Sequence, residues 1–503
     1  TGITEGSTIL AVKTSFSRDE QLAKAEGNVS LPFSVTMTTA RVGEIKQTNT
    51  LPLVFEDGKW RVSWSPSLIF QELSGENRVL FEPLDPKRGS ILDRKGRPLA
   101  TNGNLVSVGV QPGEIKDETA LLAALQRELR IDPDQAKKAY QNARPDWFVP
   151  LKELSTAEAA AVRPKLESIP GVMFQNKPSR VYPAGQSAAH VAGYVSKVTA
   201  DELKTLAARG YGEDDFVGRA GIEASFEDTL AGERGGKLSV VDPAGKLVTT
   251  IAEKPARDGQ DVHLSLDLDL QKLAEDSLGQ QAGSVVLLDT RDNSVLALAS
   301  WPRFDPNGFI LGFSDADWKK LNDDPLRPFQ DRPVASSYPT GSVFKVVTMA
   351  AAMDRAGFTK DSEFDCNGQW TGLGNGVVLG DWLSGGHGNL NLFQGLMESC
   401  DIVFYELGKK LDSIDPNILA TFARGFGFGQ PTGINGLPEA SGIVPDPAWK
   451  QKEKNDSWYL GDSVNFAIGQ GFFLAAPLQV ANAYAAIARG GSLMAPVLVT
   501  QSG

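Results

Sequence analysis

The chain has 503 residues and a formal net charge of -12, and its acidic and basic residues are interspersed. This length predicts two or three domains, and the charge pattern excludes a nucleic-acid surface and a polybasic membrane patch. No apolar run reaches the roughly 18 residues that a membrane span requires, and the first residues show no signal-peptide pattern. We expect that any signal or anchor was removed or never existed.

The first 75 or so residues predict a small α+β domain. A helical stretch, SRDEQLAKAEG (residues 17–27), precedes strand-like runs that alternate apolar and polar residues. The sequence EDGK (residues 56–59) between two such runs predicts a hairpin. The next segment, residues 85–104, is charged and rich in glycine, which is typical of a junction between domains.

The middle of the chain predicts a mixed, extended α/β region. Helical patterns cover residues 117–129 and 132–143. Two capping boxes, Ser155 to Glu158 and Thr199 to Glu202, each precede an apolar-periodic run and predict helix starts.

A third domain is predicted to begin near residue 260. Residues 259–279 pass from strand alternation into a helical pattern, and residues 283–302 contain two strand-like runs around TRDNS. Later, Pro477 is expected to begin a helix. The sequence shows no internal repeat.

Ser342 and Lys345, in GSVFK, are the first candidates for chemistry. Ser342 occupies an N-cap or first-turn position, and positions i and i+3 share one face of a helix. Serine needs an adjacent base, and lysine acts as one when burial lowers its pKa; the apolar run Val346 to Met353 offers that burial. The alternative is a capping serine beside a solvated lysine.

Ser399 and Asp401, in MESCD, form a second candidate cluster. On a short turn both side chains can face one cleft, where Ser399 would relay a proton and Asp401 would hold Lys345 or a substrate amide. The alternative is a second capping serine with a locally bonded aspartate.

Other polar and aromatic residues give weaker signals. Cys366 and Cys400 are too few for a disulfide framework or a zinc site, and the three histidines show no metal-ligand spacing. No cofactor or metal is therefore expected. His387 is interpreted as a hydrogen-bonded loop residue, Trp382 as groove or core, and Gly469 with Gly471 as a tight turn needed for packing.

With these residues in view, the chain resembles the class B penicillin-binding proteins, and among them the MecA-like serine D,D-transpeptidases. The resemblance extends over nearly the whole chain. It is carried by the segments GKWRVSWSPSLIFQEL, RGSILDRKGRPLA, YPAGQSAAHVAGYV, VGRAGIEASFEDTLAGERG, YPTGSVFK, GHGNLNLFQGLMESCD, FGFGQPTGI and AIGQGFFLAAPLQVANAYAAIARGG.

The resemblance implies an α+β multidomain architecture. Residues 1–78 would form a nuclear-transport-factor-like domain, residues 79–258 an extended pedestal or dimerisation domain, and residues 259–503 a transpeptidase domain with the serine β-lactamase-like α/β fold. Expected partners are D-Ala-D-Ala stem peptides, β-lactams, and cell-wall glycosyltransferases or elongation and division proteins. The implied location is the extracytoplasmic face of the cell membrane.

Carried over by motif, the family makes Ser342 the nucleophile that is acylated by a stem peptide or a β-lactam. Lys345 would be its base, Ser399 and Asp401 the second motif, and the backbone N–H of Ser342 half of the oxyanion hole. The family commonly has asparagine where this chain has Asp401. A carboxylate at this position is expected to raise the pKa of the lysine.

The family's third motif, K-T-G on a sheet strand, does not occur in these 503 residues. The sequence therefore suggests a truncated form of a longer transpeptidase, weakly active or inactive as written, with a poorly folded last domain. The gene sequence beyond Gly503 tests this expectation. Two other functions stay open: a serine β-lactamase or β-lactam sensor, which shares S-x-x-K, and a non-catalytic scaffold for wall synthesis.

Overall fold

The computed structural model describes residues 9–16 and 27–503. Four antiparallel strands form the N-terminal sheet in chain order: Ile9–Phe16, Asn28–Thr39, Gly43–Glu56 and Lys59–Val62. The predicted hairpin is confirmed, because Asp57 and Gly58 both have positive φ, 53° and 74°, as a tight primed turn requires. The helix predicted at residues 17–27 falls almost entirely outside the described residues.

A second, three-stranded sheet packs against the first. Its central strand Gly235–Val241 pairs with Arg78–Leu84 on one side and Leu247–Lys254 on the other. Alternate residues of that central strand, Leu238 and Val240, enter one apolar cluster with Met37 and Phe70. The N-terminal sheet therefore rests on strands that lie far along the chain.

A six-stranded sheet forms the middle of the molecule. Its longest strand, Pro98–Val110, is flanked by antiparallel partners on both sides. The six strands are Ile91–Leu92, Pro98–Val110, Val149–Ser155, Val172–Val181, Val262–Leu264 and Val499–Ser502. Three helices cover this sheet: Glu118–Leu129, Pro133–Tyr140 and Thr156–Leu166.

Both predicted capping boxes are present. In the first, the Ser155 hydroxyl accepts a hydrogen bond from the backbone N–H of Glu158, and the Glu158 carboxylate accepts one from the backbone N–H of Ser155. Thr199 and Glu202 make the same two hydrogen bonds in the second. Shorter elements complete the middle region: helices Ala189–Ala192, Ala200–Leu206, Gly221–Ser225 and Glu227–Leu230, strands Val195–Lys197 and Phe216–Gly218, and 3-10 turns Pro112–Glu114 and Ala207–Arg209. A further 3-10 turn, Pro66–Leu68, belongs to the N-terminal part.

The segment at residues 85–104 is more ordered than a junction. It supplies two of the sheet strands, and its Arg88 reaches a carboxylate in the interior, with Arg88 Nε 2.7 Å from Glu223 Oε2. Arg180 Nε lies 2.7 Å from the other oxygen of the same fully buried glutamate. Arg88, one of the charged residues that made the segment look like a junction, is therefore paired inside the fold.

The last part of the chain begins as predicted. Strand Val262–Leu264 leads into helix Leu268–Leu278, and Gly283–Leu288 pairs antiparallel with Val295–Trp301. Within the described residues, the other edge of Gly283–Leu288 has no ladder partner. No helix in the described part of the chain is long and apolar enough to cross a membrane.

Helices dominate the remainder and enclose the largest apolar cluster, built on Lys345–Arg355 and Asp401–Ile414. The predicted helix start at Pro477 is confirmed. The other helices are Gly308–Leu311, Asp315–Asn322, Arg332–Ala335, Leu392–Met397, Ile418–Gly425, Pro447–Lys454, Leu460–Ala467 and Pro477–Ala488. The remaining strands are Glu363–Cys366, Gln369–Trp370, Leu379–Gly380 and Gly388–Asn391.

Candidate active site

Ser342 lies exposed on a 3-10 turn, Gly341–Phe344, that runs directly into the helix Lys345–Arg355. A 3-10 turn places residues i and i+3 above one another, so Ser342 and Lys345 share one side of it. Phe344 anchors the turn, because its ring is buried and the centroids of the Phe344 and Phe473 rings lie 4.4 Å apart. The predicted position of Ser342 in a helix's first turn is therefore confirmed.

Lys345 is buried and makes three polar contacts. Its Nζ lies 2.6 Å from the carbonyl oxygen of Ser399, 3.1 Å from the Ser399 hydroxyl and 2.6 Å from Asp401 Oδ1. Burial lowers the pKa of Lys345. The carboxylates of Asp401 and, after it, Asp381 raise this pKa, but by less, so the pKa of Lys345 lies below its ordinary value. The expectation that Asp401 would raise this pKa holds for its own contribution, but burial outweighs it.

Ser399 and Asp401 face Lys345 because the backbone turns sharply between two helices. Ser399 has a φ of 54°, in the left-handed region that non-glycine residues rarely occupy. Asp401 then begins the helix Asp401–Ile414, and its backbone N–H donates to Asp381 Oδ1 at 2.6 Å. The fold thus brings Lys345, Ser399 and Asp401 together, while the exposed Ser342 lies one turn away along the helix.

Cys366 and Cys400 form a disulfide, a pairing that the sequence analysis missed. Two cysteines gave no framework to recognise. The available signal was the position of Cys400 between Ser399 and Asp401, the two residues of the second motif. The disulfide fastens this motif to the end of the strand Glu363–Cys366.

A cluster of ligand-type side chains lies behind the second motif, where the sequence showed no metal-ligand spacing. One ligand atom from each of Cys366, Asp381 and His387 lies within 4.8 Å of the others. His387 lies in a loop as expected, but its Nε2, 3.1 Å from Asp381 Oδ2, is buried without a hydrogen bond, so the hydrogen bond expected for His387 is not found at this atom. With the disulfide closed, Cys366 has no thiolate to offer, so this form of the cluster does not fit a metal ion.

Trp382 lies on the rim of the site and is not a core residue. Its side chain is 64% exposed, and its indole N–H donates to the carbonyl oxygen of Glu398 at 3.0 Å, next to Ser399. The groove interpretation of Trp382 therefore agrees with its exposure.

Gly469 allows a second backbone segment to approach the Ser342 turn. The N–H of Gly341 donates to the carbonyl oxygen of Gly469 at 2.9 Å. A Cβ at Gly469 would lie 2.2 Å from the carbonyl oxygen of Gly341 and 2.8 Å from Cβ of Phe344. A side chain at residue 469 would therefore displace the turn that carries Ser342.

We expect Gly469→Ala to lower the rate of the Ser342 acylation that the family resemblance implies by about 100-fold, because a displacement near 1 Å at a reacting group costs this much. The matched control is Gly471→Ala. Gly469 and Gly471 have nearly equal φ values, 72° and 73°, but a Cβ at Gly471 would meet only Cβ of Asn465, at 3.3 Å. Acylation kinetics with a fluorescent penicillin measure both variants, and equal losses in the two would contradict the role of this contact.

Comparison with protein-family models gives three matches along the chain. Residues 3–77 match the NTF2-like N-terminal transpeptidase domain, residues 83–264 the penicillin-binding protein dimerisation domain, and residues 283–502 the penicillin-binding protein transpeptidase domain. The matched segments follow the order expected from the sequence.

Curated relatives and solved structures agree with these matches. The peptidoglycan D,D-transpeptidase MrdA of Salmonella typhimurium is 35% identical over 439 residues, 85% of this chain and 69% of the relative. Penicillin-binding protein 3 of Bacillus subtilis is 32% identical over 486 residues, 93% of this chain and 69% of the relative. The complex of PBP2 with MreC from Helicobacter pylori has a TM-score of 0.68 at 30% identity, over 84% of this chain and 80% of that chain.

The chain belongs to the class B penicillin-binding proteins, the penicillin-binding serine D,D-transpeptidases. The predicted family and the predicted fold class, with its N-terminal, dimerisation and transpeptidase parts, are confirmed.

Proposed function

We propose that this chain cross-links peptidoglycan stem peptides through an acyl-enzyme on Ser342. The observation that carries the proposal is Lys345, which is buried, has a lowered pKa, and contacts both Ser399 Oγ and Asp401 Oδ1. A lysine whose pKa is lowered by burial can lose its proton more readily and act as the base that a serine nucleophile requires.

In the proposed mechanism, neutral Lys345 accepts the proton of Ser342 as its Oγ attacks the carbonyl carbon of the penultimate D-Ala. The Ser399 hydroxyl, which both donates and accepts, takes this proton from the Lys345 ammonium and passes its own to the departing D-Ala amine as the C–N bond breaks, so that Lys345 is neutral again. The backbone N–H of Ser342, in the first turn, stabilises the oxyanion. The amine of a second stem peptide then attacks the ester, Lys345 takes the proton of that amine and returns it to the departing Ser342 Oγ, and the new peptide bond is released.

Asp401 keeps the site assembled during these steps. Its carboxylate orients the Lys345 ammonium once the proton has arrived, and its backbone N–H is held by Asp381. A β-lactam would enter by the same attack, with its ring amide in place of the peptide bond.

The relatives support the proposed setting. The MrdA proteins are named peptidoglycan D,D-transpeptidases, and the solved relatives include PBP2 with MreC and a peptidoglycan synthase complex. We propose that this chain likewise works beside cell-wall synthesis proteins, on the extracytoplasmic face of the membrane. We also retain the division at residues 78 and 258 as the proposed domain boundaries.

The test is intact mass spectrometry after incubation with benzylpenicillin. The expected result is one covalent adduct on the wild-type chain and on Ser337→Ala, a nearby control, and none on Ser342→Ala. An adduct that persists in Ser342→Ala would contradict the assignment of the nucleophile. Hydrolysis of the adduct within seconds would favour a β-lactamase, whereas a long-lived adduct agrees with a transpeptidase.

A further inference from the structure

The 3-10 turn that carries Ser342 is not held by a cap of its own. Within the described residues, its N-cap residue Thr340 makes no capping hydrogen bond with its side chain. A helix start leaves its first backbone N–H groups without partners inside the helix, and such groups need partners from elsewhere. The position of this turn therefore depends on residues that lie far along the chain.

The chain just before Ser342 is bonded to a later segment. The backbone N–H of Gly341 donates to the carbonyl oxygen of Gly469 at 2.9 Å. Three residues earlier, Tyr338 and Ala475 exchange two backbone hydrogen bonds, of 2.9 and 3.0 Å. These contacts fix the entry into the turn, on the N-terminal side of the nucleophile.

Tyr484 makes the contact on the other side of Ser342. It lies on the helix Pro477–Ala488, and its hydroxyl donates to the carbonyl oxygen of Val343 at 2.8 Å. Val343 directly follows Ser342, so this hydrogen bond acts one residue from the nucleophile. A carbonyl oxygen has two lone pairs, so the bond from Tyr484 leaves one lone pair for the backbone ladder of the helix that follows.

Packing alone does not hold the turn at Val343. Val343 is 46% exposed, whereas the next residue, Phe344, is 1% exposed. Val343 lines an apolar cavity of about 470 Å³ together with Val480, Ala481 and Tyr484. The turn is thus fixed by close packing at Phe344, but at Val343 it borders open space. The hydrogen bond from Tyr484 spans this weakly packed side.

The Tyr484 hydroxyl remains a donor over the whole range in which acylation would be measured. Burial raises the pKa of Tyr484 above the ordinary value of about 10, so the phenol keeps its proton at neutral pH. Its hydrogen bond goes to a backbone carbonyl and not to Lys345. Removal of this hydroxyl should therefore move the turn without changing the proton affinity of Lys345.

We propose that Tyr484 is a positioning residue for the acylation of Ser342, because its hydroxyl holds the Val343 carbonyl and keeps the turn in place for attack. This inference rests on the proposed function. Tyr484 acts through the backbone of Val343 and not on the reacting atoms, so it is not a catalytic residue.

The experiment uses Tyr484→Phe, which removes the hydroxyl and keeps the ring that lines the cavity. Stopped-flow measurement with a chromogenic β-lactam over a range of concentrations separates Kd of the non-covalent complex from the rate constant of acylation. The rate constant is expected to fall by about tenfold, which corresponds to the loss of one hydrogen bond. Kd is expected to stay within about twofold of wild type, since the hydroxyl binds the turn and not the ligand.

The matched control is Tyr140→Phe. It removes a hydroxyl that also makes one hydrogen bond, to Glu118 Oε1 at 3.1 Å, but in the pedestal. Its rate constant and Kd should both stay within about twofold of wild type. Thermal unfolding verifies that both variants are folded at the assay temperature.

The pH profile of acylation distinguishes positioning from an effect on the base. Lys345 keeps its contacts with Ser399 and Asp401 in Tyr484→Phe, so the acid limb should lie where it does in the wild type. The rate constant should be lower by the same factor from about pH 5 to about pH 9, because Tyr484 stays protonated throughout this range.

Four outcomes overturn the inference. A folded Tyr484→Phe with the wild-type rate constant shows that the hydrogen bond does not position the turn. A raised Kd with an unchanged rate constant places Tyr484 against the ligand instead, and a shifted acid limb means that it acts on Lys345. An equal loss in Tyr140→Phe assigns the effect to general weakening of the fold. Absence of any adduct on the wild-type chain contradicts the proposed function, so the two failures are distinguished.

Discussion

Replacement of Lys345 by methionine is expected to lower the rate of Ser342 acylation by about 1,000-fold, the usual cost of removing a general base. Methionine keeps most of the volume of the buried side chain, so the helix Lys345–Arg355 should still pack. The substitution removes the amine and all three of its contacts with Ser399 and Asp401. Stopped-flow measurement with a chromogenic β-lactam gives the rate.

The matched control for Lys345 is Lys410→Met. Lys410 is exposed on the helix Asp401–Ile414, so the same change in side chain leaves the site untouched, and a rate within about twofold of wild type is expected. In the wild type the rate should rise with pH as Lys345 loses its proton, with a midpoint below the ordinary lysine pKa. A fully active Lys345→Met would show that another group accepts the proton.

Glu223→Gln is expected to be the most destabilising single substitution in the pedestal. Glu223 is fully buried and pairs with Arg88 and Arg180 at 2.7 Å each. Loss of its charge leaves the Arg180 guanidinium without an anion and Arg88 with Glu227 alone, and breaking a buried pair of this kind costs about 3–5 kcal/mol. Chemical denaturation of the full chain, followed by intrinsic fluorescence, measures the change.

The control for this prediction is Glu233→Gln. Glu233 is an exposed glutamate whose cations lie 3.7 and 3.9 Å away, so a loss below about 1 kcal/mol is expected. Similar losses in the two variants would contradict the importance of the buried network.

The stability of the pedestal should also depend on pH through Glu223. Burial acts to raise the pKa of Glu223, but Arg180 and Arg88 lower it more, so the folded state holds this carboxylate below its ordinary pKa. The stabilisation is therefore complete above the ordinary pKa of glutamate and is lost as pH falls through the lower folded-state value. Glu223→Gln removes this contribution, so its unfolding should depend less on pH in the acid range.

Features set by neighbouring residues could be predicted from the sequence. The Asp57–Gly58 hairpin, the two capping boxes and the turn at Ser342 each depend on a few adjacent positions. Motif spacing and the family resemblance named Ser342, Lys345, Ser399 and Asp401 as a site, and the fold brings the last three into contact. Their catalytic roles stay predictions until the variants are measured.

Features that depend on distant residues were not predictable. The contact between Cys366 and Cys400 joins positions 34 residues apart, and the cluster of Cys366, Asp381 and His387 forms only after the loops fold. Residues 85–104 supply strands and not only a junction for the same reason, since Arg88 meets Glu223 and Glu227 far along the chain. Composition and periodicity carry no information about such partners.

The six-stranded sheet limits how this protein can be divided for study. Strand Val262–Leu264 lies between Ile91–Leu92 and Val499–Ser502, so one ladder holds segments from three distant parts of the chain. A protein that begins at residue 259 would lack Ile91–Leu92 and would expose the unpaired edge of Val262–Leu264 to solvent. Exposed strand edges of this kind promote aggregation. Inhibitor screens on the transpeptidase part alone would therefore use a protein with an incomplete sheet. The protein used for screening should include the pedestal.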